Sequence, residues 1–126
     1  MGTNGTDGYG AAVERYFAAW NAPDEQARAK AVAAAWTEDG TYTDPMADVA
    51  GHEALGAAIT AVREQFPGHS FQRTGEVDGH HNLVRFTWDL VAADGSSPAA
   101  GSDVVTLAED GRIVSVKGFL DRLPGA

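Results

Sequence analysis

Three side chains in this sequence could between them move a proton: Asp44, Asp103 and Tyr16. Asp44 ends a short stretch, residues 41–44, whose β-branched and aromatic side chains favour a strand, and Pro45 stops it. Side chains alternate along a strand, so Tyr42 and Asp44 share a face and an environment. A carboxylate at the lip of an apolar cavity is partly desolvated, and desolvation makes it readier to accept a proton. The same residue also fits an Asx-type turn ahead of Pro45. Asp103 lies on the odd-numbered face of its strand with Gly101, Val105 and Leu107. If that face turns inward, the acid stands among apolar neighbours and stays protonated, able to donate a hydrogen bond to a developing oxyanion. A shifted register would turn it to solvent instead, or it could pair with Arg85. Tyr16 sits in an apolar helical stripe, either as core filler or as a second donor aimed into a cavity.

The elements that must position these groups are visible as changes of period. Val13, Tyr16, Phe17 and Trp20 recur at steps of three and four, which predicts a helix from about Asp7 or Gly8 to Asn21. Pro23, followed by Asp24 and Glu25, starts a second helix that runs to about Trp36, with Gly40 beyond it. After a loop ending at Gly51, the stripe Leu55, Ala58, Ile59, Val62 and Phe66 predicts a third helix, stopped by Pro67-Gly68. The period then becomes two. Val84, Phe86, Trp88 and Leu90 take one face of a strand, and Leu83, Arg85, Thr87 and Asp89 the other. Three more strands are expected at 70–78, 99–108 and 112–120, with turns at Asp78-Gly79, Asp94-Gly95 and Asp110-Gly111. Three early helices and a late antiparallel sheet give an α+β class, the helices covering one sheet face. A strongly curved sheet closed by helices leaves a cone-shaped cavity suited to a small molecule. Trp20, Trp36, Tyr42, Phe66, Phe86 and Trp88 are the aromatic residues expected in its core and walls, and hence the substrate-binding set.

The remaining chemistry is bounded by composition. The chain has 126 residues, too few for a second folded domain, so residues 1–8 read as a disordered tail and 9–124 as one domain. Eighteen acidic against nine basic side chains, a net charge of -9, disfavour nucleic acid and anionic membranes. No cysteine is present, which removes thiolate nucleophiles and thiolate metal sites. His80 and His81 are adjacent and point to opposite strand faces, while His52 and His69 have no ligand spacing, so no metal site is expected. The longest apolar run, 31–36, is too short for a bilayer, and the first ten residues lack a signal-peptide pattern. The expected compartment is the cytoplasm. Arg63 and Arg73 read as surface charge.

In the order of its elements, and in Val13-Glu14-Arg15-Tyr16-Phe17, Tyr42-Thr43-Asp44-Pro45, Ser102-Asp103-Val104-Val105 and Asp110-Gly111-Arg112-Ile113, the chain resembles the nuclear-transport-factor-2-like superfamily. Within it the chain is most similar to SnoaL-like proteins and ketosteroid isomerases. The resemblance covers nearly the whole chain and implies a cone-shaped fold. Carried over position by position, it implies that Asp44 is a general base, Asp103 a protonated acid and Tyr16 an oxyanion-hole tyrosine. It departs from other branches. Arg85 is followed by Phe86 and Thr87, where epoxide-hydrolase-like members carry an arginine and an aspartate two apart. Gly118 stands where those members and SnoaL-type cyclases place an aspartate, and the His80-His81 pair cannot serve as a dehydratase histidine pair. The expectation is a homodimer through the exposed sheet face, with cofactor-free proton transfer next to a carbonyl of a hydrophobic small molecule, by isomerisation or cyclisation. The alternatives are a non-catalytic binding or interaction module, and a dehydratase or hydrolase of the same superfamily.

Overall fold

A computed structural model describes residues 2–123, with side chains from Gly8 onward. The expected tail therefore falls almost wholly outside the described side chains. Helix α1 spans Gly2–Trp20, starting earlier than its apolar stripe implies, and α2 spans Glu25–Ala35. Asp24 caps α2, its carboxylate accepting from Ala27 N at 2.8 Å, which satisfies one of the free N–H groups of the first turn. Strands β1 (Trp36–Asp44) and β2 (Ala47–Ala50) form a hairpin, and α3 (His52–Gln65) follows. Then come β3 (Ser70–His80), β4 (Leu83–Val91), β5 (Ala99–Leu107) and β6 (Ile113–Arg122).

The six strands form one sheet in the order β2-β1-β6-β5-β4-β3. It is mixed rather than wholly antiparallel, because β1 runs parallel to β6, with Tyr42 opposite Val116 and Thr43 opposite Lys117. A parallel pair needs a long connection, and here α3 and four strands supply it. Turn chemistry announces only sequential hairpins, so nothing local advertises this pairing. For the same reason β2 is hidden in the sequence: its four residues have the composition of a loop and become a strand only by pairing with residues 41–44.

Two glycines play parts other than those their positions suggest. Gly79 is inside β3 opposite Val84, and the hairpin turns at His81-Asn82, with His81 at φ 50°. A Cβ at Gly79 would lie 2.6 Å from the Tyr9 ring, so the glycine there is a seat for α1. Gly40 does not end α2, since Trp36 already caps it in extended backbone. It lies in an irregular stretch of β1, where a Cβ would meet the Trp36 indole at 2.6 Å.

The period-two reading of the sheet holds. Val84, Phe86, Trp88 and Leu90 are buried, as are Ala99, Gly101, Asp103 and Val105 on the neighbouring strand. The three helices cover this face and close a core built around Trp20, Val32, Trp36, Leu55, Ile59 and Val116. The end of α1 is tied to the edge strand by Asn21, whose amide donates to Phe71 O at 2.9 Å and accepts from Phe71 N at 2.8 Å. Asn21→Ala leaves both backbone groups without protein partners and is expected to lower stability by about 2 kcal/mol, read from the urea midpoint. An unchanged midpoint would show that water replaces both bonds without loss.

Candidate active site

Between α1, α3 and the inner sheet face lies a cavity of about 410 Å³. Its aromatic side is Tyr16, Phe17 and Trp20 from α1 with Phe71 and Trp88 from the sheet; its other side is Ala58, Ala61 and Val62 from α3, with Phe66 just beyond the helix. Met46 and Leu123, both exposed, stand on its rim. The lining is mainly apolar; its polar side chains are Tyr16, Tyr42, Asp44 and Gln65.

Of the aromatic residues expected in the walls, Trp20, Tyr42, Phe66 and Trp88 line the cavity, whereas Trp36 and Phe86 do not. These two are core residues behind Tyr16, their ring centroids 5.7 and 5.3 Å from its own. Trp36 donates its indole N–H to Thr41 O at 3.3 Å. Parity puts Phe86 on the inner face, yet Tyr16 and Phe17 lie over it, an arrangement that only helix docking decides.

Asp44 both caps a turn and lines the cavity. Its Oδ1 accepts from Met46 N and Ala47 N, both at 2.8 Å, which is the turn-capping role. Its Oδ2 accepts from the Tyr42 hydroxyl at 2.6 Å and belongs to the cavity wall. A carboxylate oxygen offers more than one lone pair, so Oδ2 keeps room for a proton from a ligand.

Asp103 is buried, only 2% exposed, and turns inward as the odd-numbered face requires. It makes no ion pair with Arg85, which bonds Asp78 on the outer surface at 3.0 Å. Its Oδ2 accepts from the Tyr16 hydroxyl at 2.9 Å. Burial pushes the carboxyl up to about 7; the Tyr16 hydroxyl and the Trp88 indole oppose the rise, and the charges of Asp44 and Asp121 add to it. Burial, and after it the Asp103 charge, holds both Tyr16 and Tyr42 well above the ordinary phenol range, so both stay neutral donors. Trp20 brings a further donor to the same corner: its Nε1 is buried without a hydrogen-bond partner among the described residues.

The three sequence-derived residues therefore meet, but as two linked pairs, Asp44 with Tyr42 and Tyr16 with Asp103. Asp103 is not part of the cavity wall and reaches it through Tyr16. This gives Asp103 control over what Tyr16 can offer. An ionised Asp103 occupies the Tyr16 hydroxyl by accepting its hydrogen bond. A protonated Asp103 can donate to the phenol oxygen and leave the Tyr16 proton free for a ligand oxygen. Sequence alone assigns Tyr42 to the wall; its spacing from Asp44 is the available sign of its bond to the carboxylate. Gly118 reads in the sequence only as a missing aspartate, although it lies opposite Asp103 in the sheet.

Among the described residues no three histidine, aspartate or glutamate side chains are grouped to hold a metal ion, and no helix is long and apolar enough to cross a membrane. No curated protein matches the sequence. Solved structures do. The chain is 42% identical to a proposed isomerase of the SnoaL-like family from Agrobacterium tumefaciens, over 91% of this chain and 98% of that one, with a TM-score of 0.87. A proposed SnoaL-like polyketide cyclase from a Jannaschia species is 20% identical over 91% of this chain and 86% of that one, with a TM-score of 0.75. An NTF2-like protein of unknown function from an Exiguobacterium species is 22% identical over 87% and 98% of the two chains, with a TM-score of 0.68. The last two share the fold alone. The family model described as a SnoaL-like domain matches residues 13–116, so the chain belongs to the SnoaL-like family, on a cone of three helices and a curved mixed sheet.

Proposed function

We propose that this protein catalyses cofactor-free proton transfer at a carbon next to a carbonyl in an apolar small molecule. The observation that carries the reading is that Asp44 and Tyr16 line one mainly apolar cavity, with the Asp103 acid hydrogen-bonded behind the tyrosine. Asp44 Oδ2 takes the α-proton. The C–H electron pair becomes the carbon–carbon double bond, and the carbonyl π pair moves onto oxygen. Tyr16 donates to that oxygen, and protonated Asp103 donates to Tyr16. Returning the proton from Asp44 to a different carbon completes an isomerisation; attack of the enolate carbon on a second carbonyl closes a ring, the broken π pair leaving an alkoxide that takes the proton from Asp44.

The names of the Agrobacterium and Jannaschia relatives agree with these two outcomes. The reading includes a second copy of the chain packed on the outer sheet face, where Leu83, Val104, Val114 and Phe119 are exposed; a monomer mass in sedimentation would remove that part. One observation favours the non-catalytic alternative: Asp44 already accepts three hydrogen bonds and would then serve only to shape the cavity mouth.

The test is α-proton exchange of 2-tetralone in heavy water, followed by NMR with and without protein. Exchange above the buffer rate is expected. Saturable binding of the ketone with no added exchange would leave the binding-module reading in its place.

A further inference from the structure

Gly118 sits in the middle of β6, where a residue without a side chain forgoes packing and costs backbone entropy. Its φ is not in the left-handed region, so conformational freedom is not what it supplies. The registers give another reason. Thr43 pairs with Lys117 and Asp103 pairs with Gly118, so Asp44, Gly118 and Asp103 fall side by side on three adjacent strands. A Cβ built on Gly118 would lie 2.5 Å from Asp103 Oδ1, 3.5 Å from Asp44 Cβ and 3.6 Å from Thr43 O. The first distance is impossible for a real methyl group. The Asp103 side chain already has its other oxygen on Tyr16, inside a packed core, and cannot withdraw without breaking that bond.

We propose that Gly118 is a positioning residue, its missing side chain forming the notch that holds the Asp103 carboxyl between Tyr16 and Asp44. The role in catalysis rests on the proton-transfer reading; the placement of Asp103 does not. The charged and titratable groups that bear on Asp103 are Tyr16 from α1, Asp44 and Tyr42 from β1 and Asp121 from β6, with the Trp88 indole from β4. No cation is among them. A methyl in the notch would push Asp103 off the Tyr16 hydroxyl, removing a hydrogen bond that favours the ionised form, and so would favour the protonated acid.

The experiment is Gly118→Ala, alone and combined with Asp103→Ala, read by carboxyl-carbon NMR titration, urea unfolding and ketone exchange. In the single variant the Asp103 titration is expected to move upward from about 7. The exchange rate is expected to fall about 10²-fold, the scale of a misplaced catalytic contact. Gly118→Ala is expected to lower the urea midpoint when Asp103 is present and to cost nothing in the Asp103→Ala background. If the single variant does not fold, the double variant is expected to do so. An unmoved titration, an equal midpoint loss in both backgrounds, or failure of both variants to fold would overturn the proposal. Titration and unfolding do not depend on turnover, so a chain that exchanges no ketone but passes both removes the proposed activity and leaves the notch.

Discussion

Asp44→Asn is expected to lower the ketone exchange rate by about 10²–10⁴-fold, the usual worth of a positioned general base. The substitution is informative because it changes little else. Asparagine has the shape of aspartate, and its amide oxygen can take the place of Oδ1, accepting from Met46 N and Ala47 N to keep the turn closed. Its NH2 group then faces the Tyr42 hydroxyl, which reverses from donor to acceptor. The cavity wall is preserved and the lone pair able to receive a proton is gone. Ketone affinity, followed by tryptophan fluorescence, is expected to stay within a few-fold of wild type, since the binding walls are apolar. Equal exchange rates in the two proteins would take Asp44 out of the mechanism.

Asp103→Asn is expected to change the pH dependence of both rate and stability. In the wild type the exchange rate is expected to fall as pH rises through about 7, because ionised Asp103 holds the Tyr16 hydroxyl as its hydrogen-bond acceptor and keeps it from the ligand oxygen. Asparagine donates at every pH, so that alkaline fall is expected to disappear. The stability effect follows from the same equilibrium. The native carboxyl holds its proton up to about 7, whereas an unfolded aspartate loses it near its ordinary value of 3.8. Between those values the native chain binds more protons than the unfolded one, so its stability falls as pH rises. The contribution is complete below the unfolded value and lost above about 7. Its size is on the order of 2–4 kcal/mol for a carboxyl this buried. At pH 8 the asparagine variant is therefore expected to be more stable than wild type by an amount of that order, and at pH 4 to have lost most of the advantage. Parallel urea midpoints across that range would show that the native Asp103 carboxyl titrates at its ordinary value, as it does in the unfolded chain. A gain in stability joined to a loss of pH control is what a buried acid kept for chemistry would produce.

The parts legible in the sequence are those set by local periodicity. The spacing of Val13, Tyr16 and Trp20 fixes which face of α1 is buried, and that face delivers Tyr16 to the core. The alternation in 99–107 places Asp103 inward, and the two-residue step from Tyr42 to Asp44 puts both on one side of β1. A helix or strand repeats within a few residues, so its apolar pattern is written contiguously. Asp24 ahead of α2 and the glycine turns at 94–95 and 110–111 are equally local.

Other features are decided only when distant segments meet. Asp78-Gly79 has the composition of a hairpin turn, but Tyr9 from α1 packs on Gly79 and the strand runs on to His80. Trp36 and Phe86 have the right parity for a cavity wall and are screened from it, Phe86 lying beneath Tyr16 and Phe17 of α1. The parallel seam of β1 and β6 joins residues some seventy positions apart and brings Asp44 beside Gly118 and Asp103. The sequence by itself determined which side chains face inward, because that follows from 3.6- and 2-residue repeats read along one segment. Which inward groups touch was settled by tertiary structure alone, because register between remote strands and the seating of α1 are set by close packing of the whole core, which no single segment encodes.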